Sequence, residues 1–267
     1  MPLEYDLIKD RLEGFLGDSA LAHRLFFAAL DRLFLRSRYI HRELQKLKAS
    51  GFSPARLLDA GSGFGQYSFR LARSFPRAKV TGLDLKSERV EASNRLARQF
   101  QMDNLAFESG DLLTMEAEAA YDLVLSVDVL EHIEEDRRVI ANIARSLRPS
   151  GLFILTTPFY DSSSSKDTAF VDEHVRPGYS RKETEQKLAE AGLELRQFII
   201  TYGPWGNVAW TLLQKWPMSW LSGRIGLLPL VLVYLVFAYP IAWFCMQIDM
   251  RVNNTGGGGI LALAVKR

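Results

Sequence analysis

The chain has 267 residues, enough for one large or two ordinary domains, and its 48% hydrophobic and 24% charged composition excludes wholesale disorder. A single cysteine cannot form an internal bridge, which excludes a disulfide-rich secreted scaffold and favours a reducing compartment. Thirty-three basic residues against 31 acidic ones leave a net charge of +2, too little for a protein that coats nucleic acid.

Met1 to Gly17 mixes Glu4, Asp6, Lys9, Asp10, Arg11 and Glu13 with its apolar residues, unlike the apolar region of a signal peptide. The part of the chain before the late apolar segment is therefore expected to stay on the side of synthesis. From Ala20 to Lys48, Phe26, Leu30, Leu33, Ile40, Leu44 and Leu47 recur at steps of three and four, with Ser37 in the one polar slot, which predicts a long helix. Its other faces carry Arg24, Arg32, Arg36, Arg38, Arg42, Lys46 and Lys48 against Asp31 and Glu43. That basic face is either solvated or a surface for anionic lipid headgroups, where each cation contributes about 1 kcal/mol.

After Ser50-Gly51 short β-type runs alternate with helical stretches: Arg56 to Ala60, Lys79 to Asp84, Leu105 to Ser109, Tyr121 to Val127 and Gly151 to Thr157. The alternation predicts an α/β fold with a parallel, doubly wound sheet. A helix from Arg181 to Ala191, a sixth strand from Leu193 to Thr201 and a last apolar strand from Ile260 to Val265 follow.

The first strand runs into Asp59-Ala60-Gly61-Ser62-Gly63-Phe64-Gly65, and a helix begins directly after it. Glycines there let backbone approach a ligand at a helix N-terminus, where free N–H groups favour a polar or anionic group. Asp84 ends the second strand, where a carboxylate can accept both hydroxyls of a ribose. A nucleoside-containing cofactor is expected, and Gln66, where a dinucleotide site needs Gly or Ala, counts against NAD or FAD.

The stretch Leu57 to Gly65 resembles the first motif of the class I S-adenosylmethionine-dependent methyltransferases. The likeness continues in order through Gly82-Leu83-Asp84-Leu85, Gly110-Asp111-Leu112, Tyr121 to Ile133, Leu147-Arg148-Pro149-Ser150-Gly151 and His174 to Ser180. It implies a Rossmann-like seven-stranded sheet of order 3-2-1-4-5-7-6, the last strand antiparallel, and S-adenosylmethionine as cofactor. By the same resemblance Asp59 with Gly61, Gly63 and Gly65 would hold the methionine part, Asp84 the ribose, and Asp111 with Leu112 the adenine. Ser62, Leu85 and Asp128 join them as cofactor-binding residues.

If the methyl acceptor is a hydroxyl, a base of near-neutral pKa helps, and His132 and His174 are the candidates in strand-end loops. Glu131-His132 also resembles the corresponding pair of ubiquinone-pathway O-methyltransferases, a subgroup in which such residues can bind a divalent cation, although no metal site is assigned here. Alternatively Asp128-Val129-Leu130-Glu131 has the spacing of a capping box, and Glu131 only starts a helix. Tyr160 is either a lining of the acceptor pocket or a packed tyrosine.

All five tryptophans, Trp205, Trp210, Trp216, Trp220 and Trp243, fall between the sixth and last strands, and the stretch Ile225 to Ile248 has no charge. Indole rings favour a bilayer interface, so this segment is expected to contact a membrane. The final strand must return to the sheet, which favours an in-plane or re-entrant helical hairpin bent at Pro229 or Pro240 over a single-span tail. The expected organisation is an N-terminal helical cap at 1–50, a cofactor-binding domain at 51–202 and 259–267, and a membrane-associating insertion at 203–258. The expected protein is a methyltransferase on the cytoplasmic side of a membrane, acting on a lipophilic acceptor such as a quinol, a polyprenyl compound or a membrane lipid, with O-methylation favoured. The alternative is a non-catalytic, S-adenosylmethionine-binding scaffold of a lipid pathway.

Overall fold

In a computed structural model the described residues are 19–160, 175–222 and 225–267. Helices α1 (Ala20–Leu33) and α2 (Leu35–Ala49) precede strand β1 (Arg56–Ala60), α3 (Gln66–Ser74), β2 (Lys79–Asp84), α4 (Ser87–Gln99), β3 (Leu105–Ser109) and β4 (Tyr121–Val127). Then come α5 (Asp136–Ser146), β5 (Leu147–Pro158), α6 (Arg181–Glu190) and β6 (Leu193–Thr201). The seven strands pair in the order β3-β2-β1-β4-β5-β7-β6, where β7 is Gly259–Lys266. Strand β7 runs antiparallel to both β5 and β6, so β6 is parallel to the rest and ends on the same carboxyl edge as β1, β2 and β4. The expected α/β sheet and its order are thus present.

Neighbouring residues on a strand point to opposite faces, and the sheet buries both. Leu57, Leu123, Leu125, Ile154 and Leu261 pack into one core, while Leu58, Val124, Phe153, Leu155 and Ala262 pack into the other. The first core also takes Phe27, Tyr39, Ile40 and Leu44 from α1 and α2, and Ala209, Leu213, Ala242 and Met246 from the segment between β6 and β7.

Two expectations are corrected. The helix foreseen from Ala20 to Lys48 breaks at Phe34, whose backbone is extended (φ −98°, ψ 117°) while its N–H closes α1 on the Leu30 carbonyl. The break turns α2 so that its arginines serve the interior. Arg38 donates to the Arg32 carbonyl and the Tyr239 hydroxyl, and Arg42 to the Met250 carbonyl and Glu43. Much of the basic face is therefore spent on intramolecular partners.

The capping box is the second. Asp128 adopts φ +51° and caps no helix; a 3₁₀ turn at Leu130–His132 follows Val129 instead.

The segment between β6 and β7 is a helical hairpin. One arm comprises α7 (Pro204–Trp210), a π turn at Thr211–Lys215 and α8 (Trp216–Leu221); the other is α9 (Leu228–Asp249). The Tyr234 hydroxyl donates to the Leu212 carbonyl, Trp220 meets the Tyr234 ring edge-on at 4.8 Å, and the Gly206 N–H donates to Asp249, so the arms run antiparallel. Pro229 sits in the first turn of α9, where no backbone donor is lost, and Pro240 lies inside a helix assigned without interruption.

The side of α9 facing the protein is Val231, Ala238, Ala242, Cys245 and Asp249, at steps of seven, four, three and four, with Met246 beside Cys245. Leu230, Val233, Val236, Phe237, Ile241 and Phe244 face outward, with Phe237 73% exposed. A core helix of this hydropathy would be mostly covered, whereas 22% of its apolar window is buried.

Candidate active site

The carboxyl edge of β1, β2, β3 and β4 carries Asp59, the glycine turn, Asp84, Asp111 and Asp128. At the end of β1 the Gly61 and Ser62 N–H groups both donate to the Leu83 carbonyl at 2.9 Å, folding the chain back over β2. Gly61 (φ +82°) has the Val129 side chain where a Cβ would stand. Gly63 (φ +53°) has nothing within 4 Å of that position, so the turn opens there onto free space.

Asp84 braces the same turn. Its Oδ2 accepts the Gly63 N–H at 2.8 Å and its Oδ1 accepts the Lys86 N–H at 3.0 Å, which orients the carboxylate at the rim and leaves lone pairs for a diol. Asp111 gives Oδ1 to the Leu113 N–H at 2.8 Å, and its other oxygen has no partner among the described residues. Leu112 beside it is buried, and Leu85 is exposed at 72%.

Beneath the turn, Asp59 is buried and accepts the Ser68 hydroxyl at 2.5 Å. Burial pushes its carboxyl up to about 7, the Ser68 hydrogen bond opposes the shift, and the nearby Asp84 adds to it. Ser62 keeps a buried hydroxyl without a hydrogen-bond partner among the described residues. An open glycine cradle, an unpartnered hydroxyl, a rim carboxylate and a further acceptor on Asp111 fit a nucleoside with a polar tail.

The other wall comes from an element that sequence reasoning did not bring here. Arg36, in the first turn of α2, forms an ion pair with Asp128 at the end of β4, while Asp128 Oδ1 accepts the Thr156 hydroxyl at 2.9 Å. The Arg36 N–H donates to the Tyr202 hydroxyl at 3.2 Å. One residue down, Ser37 is within 3.2 Å of the Tyr67 hydroxyl and accepts Gln66 Nε2 at 3.1 Å, which sets this turn of α2 against the start of α3. Arg36 was read from sequence as one cation of a basic face, and nothing local to it distinguishes it from Arg32 or Arg38.

Glu131 and His132 part company. Glu131 is wholly buried; its Oε2 accepts the Thr157 hydroxyl at 3.3 Å and its Oε1 has no partner among the described residues. Burial raises its carboxyl to about 7, against the opposing pull of Arg36, Thr157 and Arg176. His132 is exposed on the far side of the same turn. His174 lies outside the described residues. Tyr160 is partly exposed and donates its N–H to the Tyr179 carbonyl. Among the described residues no group of three or more His, Cys, Asp or Glu side chains could hold a metal ion.

A buried cluster fixes the chain that returns toward Glu131. Arg176, the Tyr179 hydroxyl and Lys187 all converge on Asp136 Oδ2, and the Val175 N–H donates to the Glu131 carbonyl at 3.0 Å.

The profile of a family described as a methyltransferase domain matches residues 52–192. The chain is 30% identical to 27-O-demethylrifamycin SV methyltransferase of Amycolatopsis mediterranei, over 52% of this chain and 54% of that one. It is also 30% identical to a ubiquinone biosynthesis O-methyltransferase of Psychrobacter cryohalolentis, over 45% of this chain and 47% of that one. The chain thus spans about half the length of these curated relatives. Among solved structures, geranyl diphosphate C-methyltransferase from Streptomyces coelicolor A3(2) superposes with a TM-score of 0.58 at 15% identity, covering 86% of this chain and 77% of that one, a likeness of fold alone.

Proposed function

The chain belongs to the S-adenosylmethionine-dependent methyltransferases, and from that premise we propose that it methylates a lipophilic acceptor, a quinol, polyprenyl compound or membrane lipid, taken from the cytoplasmic side of a membrane. When bound, S-adenosylmethionine supplies a methyl carbon on a positively charged sulfur, so transfer is an in-line displacement that depends on alignment and exclusion of water.

In this reading Asp84 holds the ribose hydroxyls, and Asp111 with Leu112 holds the adenine edge. Gly61, Ser62, Gly63 and Gly65 form the backbone cradle of the methionine portion. Arg36 presents its guanidinium to the methionine carboxylate, and Asp128 orients that guanidinium through their ion pair. Glu131 Oε1 takes the proton of an acceptor hydroxyl. Its buried, unpartnered oxygen and near-neutral pKa suit that role better than the exposed His132 ring does.

The observation that carries the lipophilic acceptor is where the hairpin leaves the sheet. Strand β6 ends at Thr201 on the carboxyl edge, Tyr202 next to it accepts the N–H of Arg36, and the hairpin that follows exposes a charge-free helical face. An acceptor held in a bilayer against that face enters the site without crossing water, which saves about 0.8 kcal/mol per methylene kept dry.

The test is incubation of the full chain with an isotopically labelled methyl donor and a membrane extract, followed by mass spectrometry of the lipids. Label in an extractable lipid supports the reading. Retained binding of S-adenosylhomocysteine with no labelled lipid sinks it in favour of a non-catalytic scaffold.

A further inference from the structure

Behind the glycine turn, on the outer side of α3, lies a second cavity of about 330 Å³, within the size range of small-ligand sites. Three helices line it. Helix α1 gives Phe27 and Asp31; α2 gives His41, Gln45 and Lys48 on one face at steps of four and three; α3 gives Gln66, Arg70, Arg73 and Ser74. Phe27, Leu44 and Phe69 form an apolar floor.

The polar lining is unbalanced in charge. Asp31, its one carboxylate, is fully engaged: Oδ2 pairs with Arg70 and Oδ1 accepts Gln66 Nε2 at 2.9 Å. No carboxylate among the described residues pairs with Lys48 or Arg73. Arg73 shares the Phe100 ring with Arg24, their guanidinium carbons 5.7 and 4.9 Å from its centroid. Partial burial and the repulsion of Arg24 and Arg70 act to lower its pKa, the mark of a rim cation crowded by its own kind. Burial and Arg70 likewise lower the pKa of His41, whose Nδ1 lies 2.7 Å from an Arg70 guanidinium nitrogen. Lys48 and Arg73 therefore present two charges that no carboxylate among the described residues neutralises, with Gln45 and Ser74 beside them.

We propose that this cavity binds a phosphate-bearing anion, either a soluble phosphate compound or the headgroup of an anionic lipid. A phosphate offers several strong acceptor oxygens and relieves the crowding of Arg73, and a guanidinium group matches its geometry. The site lies outside the cofactor cradle and does not depend on the methyltransferase reading.

The experiment uses the full chain in detergent and the double variant Lys48→Gln/Arg73→Gln, both of whose altered residues are exposed at the rim. Inorganic pyrophosphate is titrated by calorimetry, and sedimentation is compared on phosphatidylcholine vesicles with and without phosphatidic acid. S-adenosylhomocysteine binding, unchanged in the double variant, certifies the fold and separates failure here from failure of the proposed function. Saturable pyrophosphate binding that weakens tenfold or more in the variant supports a soluble ligand. Loss in the variant of extra binding to phosphatidic acid vesicles, without a pyrophosphate signal, supports a lipid headgroup. Equal behaviour of the two proteins in both arms overturns the proposal.

Discussion

Arg36 and Asp128 form an ion pair across the mouth of the sheet, joining the first turn of an N-terminal helix to the end of β4. Both side chains are partly covered, at 22% and 30% exposure, and the Arg36 N–H donates to the Tyr202 hydroxyl. Arg36→Ala is expected to weaken S-adenosylhomocysteine binding by roughly 10- to 100-fold, the range of one charge-assisted hydrogen bond. Arg36→Lys should recover only part of it, because an ammonium cannot make a bidentate contact. Calorimetry on the folded variants decides; equal affinity in wild type and Arg36→Ala removes the carboxylate role.

Asp84→Ala removes the rim carboxylate and the acceptor of the Gly63 N–H together. Cofactor affinity should fall by at least about 100-fold, more than a single hydrogen bond, while Asp84→Asn keeps one acceptor and loses less. If Asp84→Ala binds S-adenosylhomocysteine as wild type does, the ribose is held elsewhere.

Glu131 gives a pH prediction with a definite sign. Burial raises its carboxyl from 4.5 to about 7, and a base works only when deprotonated. The rate of methyl transfer should therefore rise about tenfold per pH unit below pH 7 and level off above it. Glu131→Gln should lose about 100-fold or more in rate together with that pH dependence, with cofactor affinity unchanged. A wild-type profile flat from pH 5.5 to about 8 would remove Glu131 as the base.

The outward face of α9 predicts membrane binding that does not depend on the cofactor site. Val236→Ser, Phe237→Ser and Phe244→Ser combined remove exposed apolar area without touching the buried stripe of Ala238, Ala242 and Cys245. At about 1.5–3 kcal/mol for each large side chain fully withdrawn from water, sedimentation with vesicles should be lost while cofactor affinity stays. Undiminished sedimentation, or a change in oligomeric state instead, would show that the face serves another purpose.

Each β-strand was legible in the sequence because its signal is local: an apolar run bounded by turn residues, with both sheet faces buried. The glycine turn and Asp84 were legible for the same reason, since backbone geometry at Gly61 and Gly63 restricts residue type. What was not legible depends on tertiary partners. Leu33-Phe34-Leu35 contains no helix breaker, yet the chain turns there. Arg36 is set apart from the other cations of its face by its ion pair with Asp128, 92 positions away in the sequence. Glu131 and His132 are adjacent, but the 3₁₀ turn sends one inward and the other to solvent, which a reading of the pair as a unit does not anticipate.

The hairpin and α2 meet through Asp249. This wholly buried carboxylate accepts the Tyr39 hydroxyl on Oδ2 at 2.9 Å and the Gly206 N–H on Oδ1 at 2.9 Å, so it clasps α2 and both arms of the hairpin. Burial and the carboxylate both raise the Tyr39 pKa, which keeps the phenol protonated as the donor. Asp249→Ala strands the Gly206 N–H and should cost about 2–4 kcal/mol in urea unfolding of the detergent-solubilised chain. Tyr39 lies one helical turn from Arg36 on α2, so loosening this clasp should also weaken cofactor binding by displacing the guanidinium. A double-mutant cycle reads that coupling: Arg36→Ala should cost less affinity in the Asp249→Ala background than in wild type. Strict additivity would mean that the hairpin anchors α2 without setting the position of Arg36.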